Sequence, residues 1–328
     1  MKKTKLVALM LCAIMLISVM FTGCSSKNIL KIDGENIPEG YYNYYYGYLY
    51  SYMGYYINYD DELLDEYTIA QLKQQQAIKS TAKELGLELT ALENKYIIDS
   101  LNESIESMGQ TNYATFLKAL GMTNKQYQDI SKVYALNSKI YDYYYNPETG
   151  TEIPSNQDLI DDYKATTTRA THIFFNTQEA ESEDDRKAVL ARAEEVYAKV
   201  EAGENFYDLI REYGEDPGVE EDPETGYYFN DGTGFDPSFT SAAYALEVNE
   251  YSEIVESSLG YHIILRLPVE DEYVQSLIDA ENSTVYSTYC TARLNEKLTE
   301  ISDAMTVEKL PAFDSIDVAS AVAAWTMQ

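Results

Sequence analysis

The chain has two histidines among its 328 residues, and both lie in short apolar segments: Arg169-Ala-Thr-His-Ile-Phe-Phe175 and Gly260-Tyr-His-Ile-Ile-Leu-Arg-Leu267. Runs rich in β-branched and aromatic residues predict strands, so His172 and His262 are expected on two strands. A strand histidine can act as a base, a metal ligand or a hydrogen-bonded core residue, and two of them can simply satisfy each other. No His-x-x-x-His pair, cysteine cluster or Walker-type glycine loop occurs, so no metal and no cofactor is expected. The composition permits a Ser-His-Asp triad, but the Gly-x-Ser-x-Gly elbow that would expose a nucleophilic serine is absent. By local pattern alone, Asp216-Pro217 reads as a turn starter, and Phe235 and Phe239, four apart, read as ordinary helix packing.

The elements around these residues predict a compact α+β domain. After the His172 strand, Ser182 caps a helix over Glu183–Glu201 that Gly203 stops, and Phe206, Leu209, Ile210 and Tyr213 mark a second, shorter helix. An acidic loop over Gly214–Thr225 leads to a strand at Gly226–Phe229. A helix then runs from Phe235 through Leu246, and the His262 strand closes the order βααβαβ. Helical periodicity fills the flanks: 41–59, Leu63–Leu85, Leu89–Met108, Tyr113–Leu120, Asn124–Tyr145 and a short 156–163, then about Val274 to Ala304 beyond Pro268. Thr90 and Thr123 are expected caps, with Gly86, Gly109 and Gly121 as stops. The tail from Met305 is weakly patterned. The expected fold is thus a small mixed sheet domain inserted between two helical segments that pack together. The boundaries are 24–166 for the first helical segment, 167–268 for the sheet domain and 269–328 for the second helical segment.

Composition narrows the partners. Twenty-four Lys and Arg stand against 55 Asp and Glu, a net charge of −31. Such a surface repels phosphate backbones, so nucleic acid is not expected as a partner. Apolar content of 45% is too high for a disordered acidic chain. Tyrosine is over-used, with 32 against nine Phe and one Trp. Tyr41, Tyr45, Tyr48, Tyr52, Tyr55 and Tyr59 keep a 4-3-4-3-4 spacing, one stripe of a helix. That stripe can pack on neighbouring helices or form a tyrosine-lined cradle for unfolded segments. At the start, Lys2, Lys3 and Lys5 precede an uncharged apolar run from Leu6 to Phe21, ending in Phe21-Thr-Gly-Cys24. This resembles a bacterial lipoprotein signal over 1–23, which implies a lipid-modified Cys24 as the membrane anchor on the extracytoplasmic face. With Cys12 removed and Cys24 acylated, no intramolecular disulfide is expected.

Four ordered motifs carry a more specific likeness. Ala170-Thr-His-Ile-Phe-Phe, Gly203-Glu-Asn-Phe-Tyr-Asp-Leu-Ile-Arg-Glu-Tyr-Gly-Glu-Asp-Pro217, Phe235-Asp-Pro-Ser-Phe-Thr-Ser-Ala-Ala-Tyr-Ala-Leu246 and Gly260-Tyr-His-Ile-Ile264 resemble the signatures of a parvulin-type (PpiC) peptidyl-prolyl isomerase domain. The lipoprotein-like start and helical flanks resemble the PrsA family of exported foldases, related in layout to the SurA chaperone. The resemblance implies paired histidines, His172 and His262, at the floor of a cleft, with Asp216 beside the isomerising bond. It implies that Phe239 and Phe235 form the proline pocket, with Leu259 lining it and Ser257 at a nearby hydroxyl position. Phe235 stands where Met is more usual, and the segment Phe229–Phe235 is one residue longer than the common pattern.

The implied function is isomerisation of X-Pro bonds in exported, unfolded or partly folded proteins while the helical parts hold the client; a homodimer is compatible with that layout. A holdase whose isomerase domain is idle is the alternative, motivated by the altered pocket segment. A solute-binding lipoprotein would require two parallel-sheet lobes, which the element order does not suggest. The six carboxylates and absence of Lys or Arg over Glu215–Glu224 make phosphoserine-proline selection unexpected.

Overall fold

The computed structural model describes residues 27–326. The expected signal at 1–23 and the expected lipid site Cys24 lie outside the described residues. In chain order the elements are β1 (Asn28–Ile32), β2 (Glu35–Pro38), α1 (Glu39–Met53), α2 (Asp61–Glu84), α3 (Ala91–Met108), α4 (Gln110–Leu120), α5 (Asn124–Tyr145), α6 (Asn156–Thr166), β3 (Thr168–Asn176), α7 (Glu183–Glu201), α8 (Phe206–Tyr213), α9 (Pro217–Glu220), β4 (Tyr227–Phe229), α10 (Pro237–Ala245), β5 (Tyr251–Glu256), β6 (Gly260–Leu267), α11 (Asp271–Ile278), α12 (Val285–Ala304), β7 (Val307–Lys309) and α13 (Val318–Thr326). Helix starts follow local chemistry. Thr90 with Glu93, Thr123 with Gln126, Ser155 with Asp158 and Ser182 with Asp185 form reciprocal capping boxes.

The chain divides into two units. One comprises 27–153 and 291–326, the other Pro154–Cys290. In the first, the two helical segments do pack together. Strand β7 pairs antiparallel with β1 (Leu30↔Lys309, Ile32↔Val307), completing a sheet of order β2-β1-β7. The weakly patterned tail also folds: α13 lies against α1, and Trp325 meets Tyr44, Tyr48 and Phe116 at centroid distances of 5.2, 5.4 and 5.5 Å. Local periodicity missed α13 because its contact surface is small alanines, Ala321 and Ala324, rather than a stripe of large residues. The helix expected over 41–59 ends at Met53 and turns follow it, and the tyrosines of this segment change character along its length. Tyr42, Tyr45 and Tyr46 are buried, with Tyr46 donating to Asp61 at 2.9 Å, whereas Tyr52, Tyr55 and Tyr56 are 74%, 78% and 82% exposed.

Gly47 permits the α1–α13 approach, since a Cβ there would overlap the Trp325 ring and stand 2.8 Å from the Ala321 carbonyl. Gly47→Val is expected to undock α13 at a cost of ~1–3 kcal/mol for overpacking. The chain's one tryptophan reports it. Its emission should shift to the red and the urea midpoint of this unit should fall; unchanged emission would contradict the packing.

The second unit is built on a four-stranded antiparallel sheet, β4-β3-β6-β5. One face carries Ile173, Phe175, Tyr261 and Ile263, covered by Ala193, Val196 and Val200 of α7 and Leu209 and Ile210 of α8. The other carries Ala170 and Ile264, covered by Phe229 and by Phe239 and Ala243 of α10. The sequence pattern missed β5 and joined α11 to α12. Strand β5 is an irregular edge strand, with a register shift between Tyr251 and Ile254; there the Ser252 hydroxyl takes the Ile264 N–H at 2.9 Å. Helix α6 pairs with α11 through Lys164–Asp271 at 2.5 Å, so this unit extends beyond 167–268 at both ends. Buried Arg169 donates to the carbonyls of Thr225, Glu224 and Pro268 at 2.8, 2.8 and 3.0 Å. That clamp fixes the entry to β4.

Candidate active site

Register brings the histidines together. On β3 and β6, His172 lies opposite Ile264 and His262 opposite Phe174. Residues directly opposed share a face, so the two imidazoles are diagonal neighbours on the face covered by α10. Their Nδ1 atoms are 3.0 Å apart. His172 Nε2 reaches Asp216 Oδ2 at 2.7 Å, and His262 Nε2 reaches Ser257 Oγ at 2.7 Å.

Counting donors orders the protons along this chain. Ser257 Oγ receives the N–H groups of Leu259 (3.1 Å) and Gly260 (3.3 Å), and its hydroxyl proton has two acceptors in reach, the Gly260 carbonyl at 3.3 Å and His262 Nε2 at 2.7 Å, of which the shorter contact assigns it to His262. His262 then carries its proton on Nδ1 and donates to His172 Nδ1. His172 in turn donates from Nε2 to the Asp216 carboxylate. The electrostatics agree. Burial first, and the neighbouring His172 second, push His262 down to about 3, so it is a neutral imidazole at neutral pH. Asp216 is held down at about 2, chiefly by the His172 hydrogen bond, with the Gly218 N–H and the Tyr227 hydroxyl adding to it against the opposing effect of burial. The site therefore presents one fixed anion, Asp216, at the end of a hydrogen-bonded relay.

Aromatic rings roof this chain. Phe239 stands edge-on to His172 and His262, with centroids 5.2 and 5.5 Å away. Phe235 lies 5.8 Å from Phe239 and 5.4 Å from both Tyr227 and Phe229. Phe174 stacks on His262 at 4.8 Å. The structure thus brings His172, His262, Asp216, Phe235 and Phe239 into one cluster. Leu259 joins it through its N–H on Ser257, with its side chain 42% exposed. Ser257 is buried behind His262, its hydroxyl engaged in the relay rather than turned outward. Asp236, the cap of α10, holds that loop in place. It accepts from the Ser258 hydroxyl at 2.7 Å and the Ser258 N–H at 3.1 Å, and chiefly that hydroxyl keeps it at about 2. Sequence reading passed over Tyr227, Phe174 and Asp236, since each takes its place only through cross-strand or loop contacts. The described residues contain no cluster of His, Cys, Asp and Glu able to hold a metal ion.

Fold and site together define a parvulin-type domain: residues 172–267 match the family described as Rotamase, PPIC-type PPIASE domain. The chain is PrsA-like beyond that domain as well. It is 43% identical over 81 residues to the foldase protein PrsA of Halalkalibacterium halodurans, covering 25% of this chain and 24% of that one. It is 30% identical over 170 residues to foldase protein PrsA 4 of Bacillus cereus, covering 51% of this chain and 52% of that one. These alignments span between about a quarter and a half of the relatives' length. A crystal structure of a peptidylprolyl isomerase (PrsA) from Bacillus cereus superposes with a TM-score of 0.37 at 22% identity, over 90% of this chain and 98% of that one.

Proposed function

We propose that this chain is a membrane-tethered peptidyl-prolyl isomerase and chaperone for exported proteins, acting on the extracytoplasmic side from a lipidated Cys24. The observation that carries the reading is the relay Ser257–His262–His172–Asp216, ending in an anion and roofed by Phe235 and Phe239. Rotation about an X-Pro bond breaks no covalent bond; it must overcome the ~18–20 kcal/mol of partial double-bond character. That double bond comes from a resonance form with negative charge on the carbonyl oxygen. An anion beside that oxygen penalises the planar form and favours the twisted one, whose charge separation is smaller. An apolar grip on the proline ring by Phe235, Phe239 and Leu259 acts in the same direction, because the twisted amide is the less polar state. Each ~1.4 kcal/mol gained in this way is tenfold in rate. In this reading Asp216 is the electrostatic catalyst, while His172 and His262 orient and hydrogen-bond it.

The exposed end of the tyrosine stripe, Tyr52 and Tyr55, with the neighbouring Tyr56, favours a holding role for the helical unit alongside catalysis. The two activities separate in one experiment. The parent chain is expected both to accelerate proline-limited refolding of a substrate protein and to suppress its aggregation. Asp216→Ala should retain only the second activity. A parent that suppresses aggregation without accelerating refolding would make the protein a holdase.

A further inference from the structure

Tyr227, on β4, aims its hydroxyl at both oxygens of Asp216, 3.2 Å from Oδ1 and 3.1 Å from Oδ2. Its ring stands edge-on to His172, with centroids 6.1 Å apart at 89°, and tilts against Phe235 at 5.4 Å. The space for that hydroxyl exists because residue 218 is glycine: a Cβ there would overlap the Tyr227 oxygen and come within 3.2 Å of Asp216 Oδ1. The Gly218 N–H meanwhile donates to Asp216 Oδ1 at 2.9 Å. Asp216 is therefore gripped from three directions, by His172 from β3, by Tyr227 from β4 and by its own turn. We propose that Tyr227 is a positioning residue of this site: its hydroxyl, admitted by the bare backbone of Gly218, clamps the Asp216 carboxylate in line with His172 and keeps it an anion.

Burial first, and then the Asp216 charge, push the Tyr227 hydroxyl up to about 12, so it remains a donor across the physiological range. The other groups around Asp216 do not compete for that role. His262 lies behind His172. Glu215, next in the chain, is turned to Arg192 of α7 at 2.5 Å and to the Asn176 N–H at 2.7 Å. The catalytic consequence of the clamp rests on the isomerase reading above; the clamp itself does not.

Tyr227→Phe keeps the ring that packs on His172 and Phe235 and removes only the hydroxyl, so a purely structural role predicts no change. A carboxylate that loses one donor becomes more basic and draws harder on those that remain, His172 and the Gly218 N–H. Two shifts are expected by NMR in the full chain. At pH 7 the His172 Nε2–H resonance moves downfield, and on acidification the Asp216 carboxyl carbon titrates ~1 pH unit higher than in the parent, the scale of one hydrogen bond to a charged group. Gly218→Ala should reproduce both shifts with the tyrosine still present. In prolyl exchange, Tyr227→Phe should lower kcat ~10-fold at unchanged KM, since the hydroxyl holds the carboxylate and not the substrate. Unmoved His172 and Asp216 signals in Tyr227→Phe would overturn the proposal. A parent that fails to accelerate exchange would remove the isomerase reading, and the two NMR shifts would still decide whether Tyr227 holds Asp216.

Discussion

Asp216→Ala should lower kcat/KM for prolyl isomerisation by about 100-fold, a loss of ~2.7 kcal/mol in transition-state stabilisation, while leaving the four-stranded sheet folded. The size follows from what is removed. Asp216 is the carboxylate at the end of the relay, and the hydrogen bonds from His172 and Gly218 hold its negative charge at a fixed point beneath the phenylalanine roof. Asp216→Asn isolates the charge more closely, because the amide keeps the shape and its single oxygen still accepts from His172 or from Gly218, but it carries no charge. The account predicts an asparagine variant nearly as slow as the alanine one. Parent-like rates from Asp216→Asn would show that the carboxylate's charge does not contribute.

A second large effect is acid lability of the same unit. Native His262 resists protonation until about pH 3, whereas in the unfolded chain it takes up a proton near the ordinary histidine value of 6.5. Stability contributed by the neutral ring is complete above 6.5 and is lost as pH falls toward 3, amounting to about 5 kcal/mol over that window. Asp216 adds a lower window. Its stabilisation is complete above the ordinary 3.8 and disappears as pH falls through about 2. Urea unfolding followed through the methyl resonances of Ile173 and Ile263 isolates this unit from the rest of the chain. The midpoint should drop steeply between pH 7 and pH 4 in the parent. In His262→Gln, which keeps a buried hydrogen-bonding group without a titrating ring, most of that slope should vanish. An equal slope in both proteins would mean that some other group governs it.

How much of this was visible beforehand depended on the range of the interaction involved. Helix starts at Thr90, Thr123 and Ser182 were legible because a capping box spans four residues. The two histidine strands were legible because each is a continuous apolar run, and the resemblance in motif order singled out Asp216, Phe235 and Phe239. What local pattern could not supply was register. That His172 meets His262 follows from a diagonal across β3 and β6. Tyr227 reaches Asp216 only because of the missing side chain at Gly218. The resemblance placed Ser257 only at a nearby hydroxyl position; the tight loop to Gly260 is what turns it onto His262. Strand β7, three exposed residues long, and α13, with its alanine contact surface, carry almost no periodic signal. Their places are set by β1 and by Gly47.

The most direct test of the central claim is exchange spectroscopy on an Ala-Xaa-Pro-Phe peptide in the presence of a small molar fraction of the chain. The account predicts cis–trans exchange cross-peaks that grow with protein concentration and return to the uncatalysed level with Asp216→Ala. Exchange at the uncatalysed rate, from a parent whose His172 and His262 ring signals show the relay intact, would contradict it.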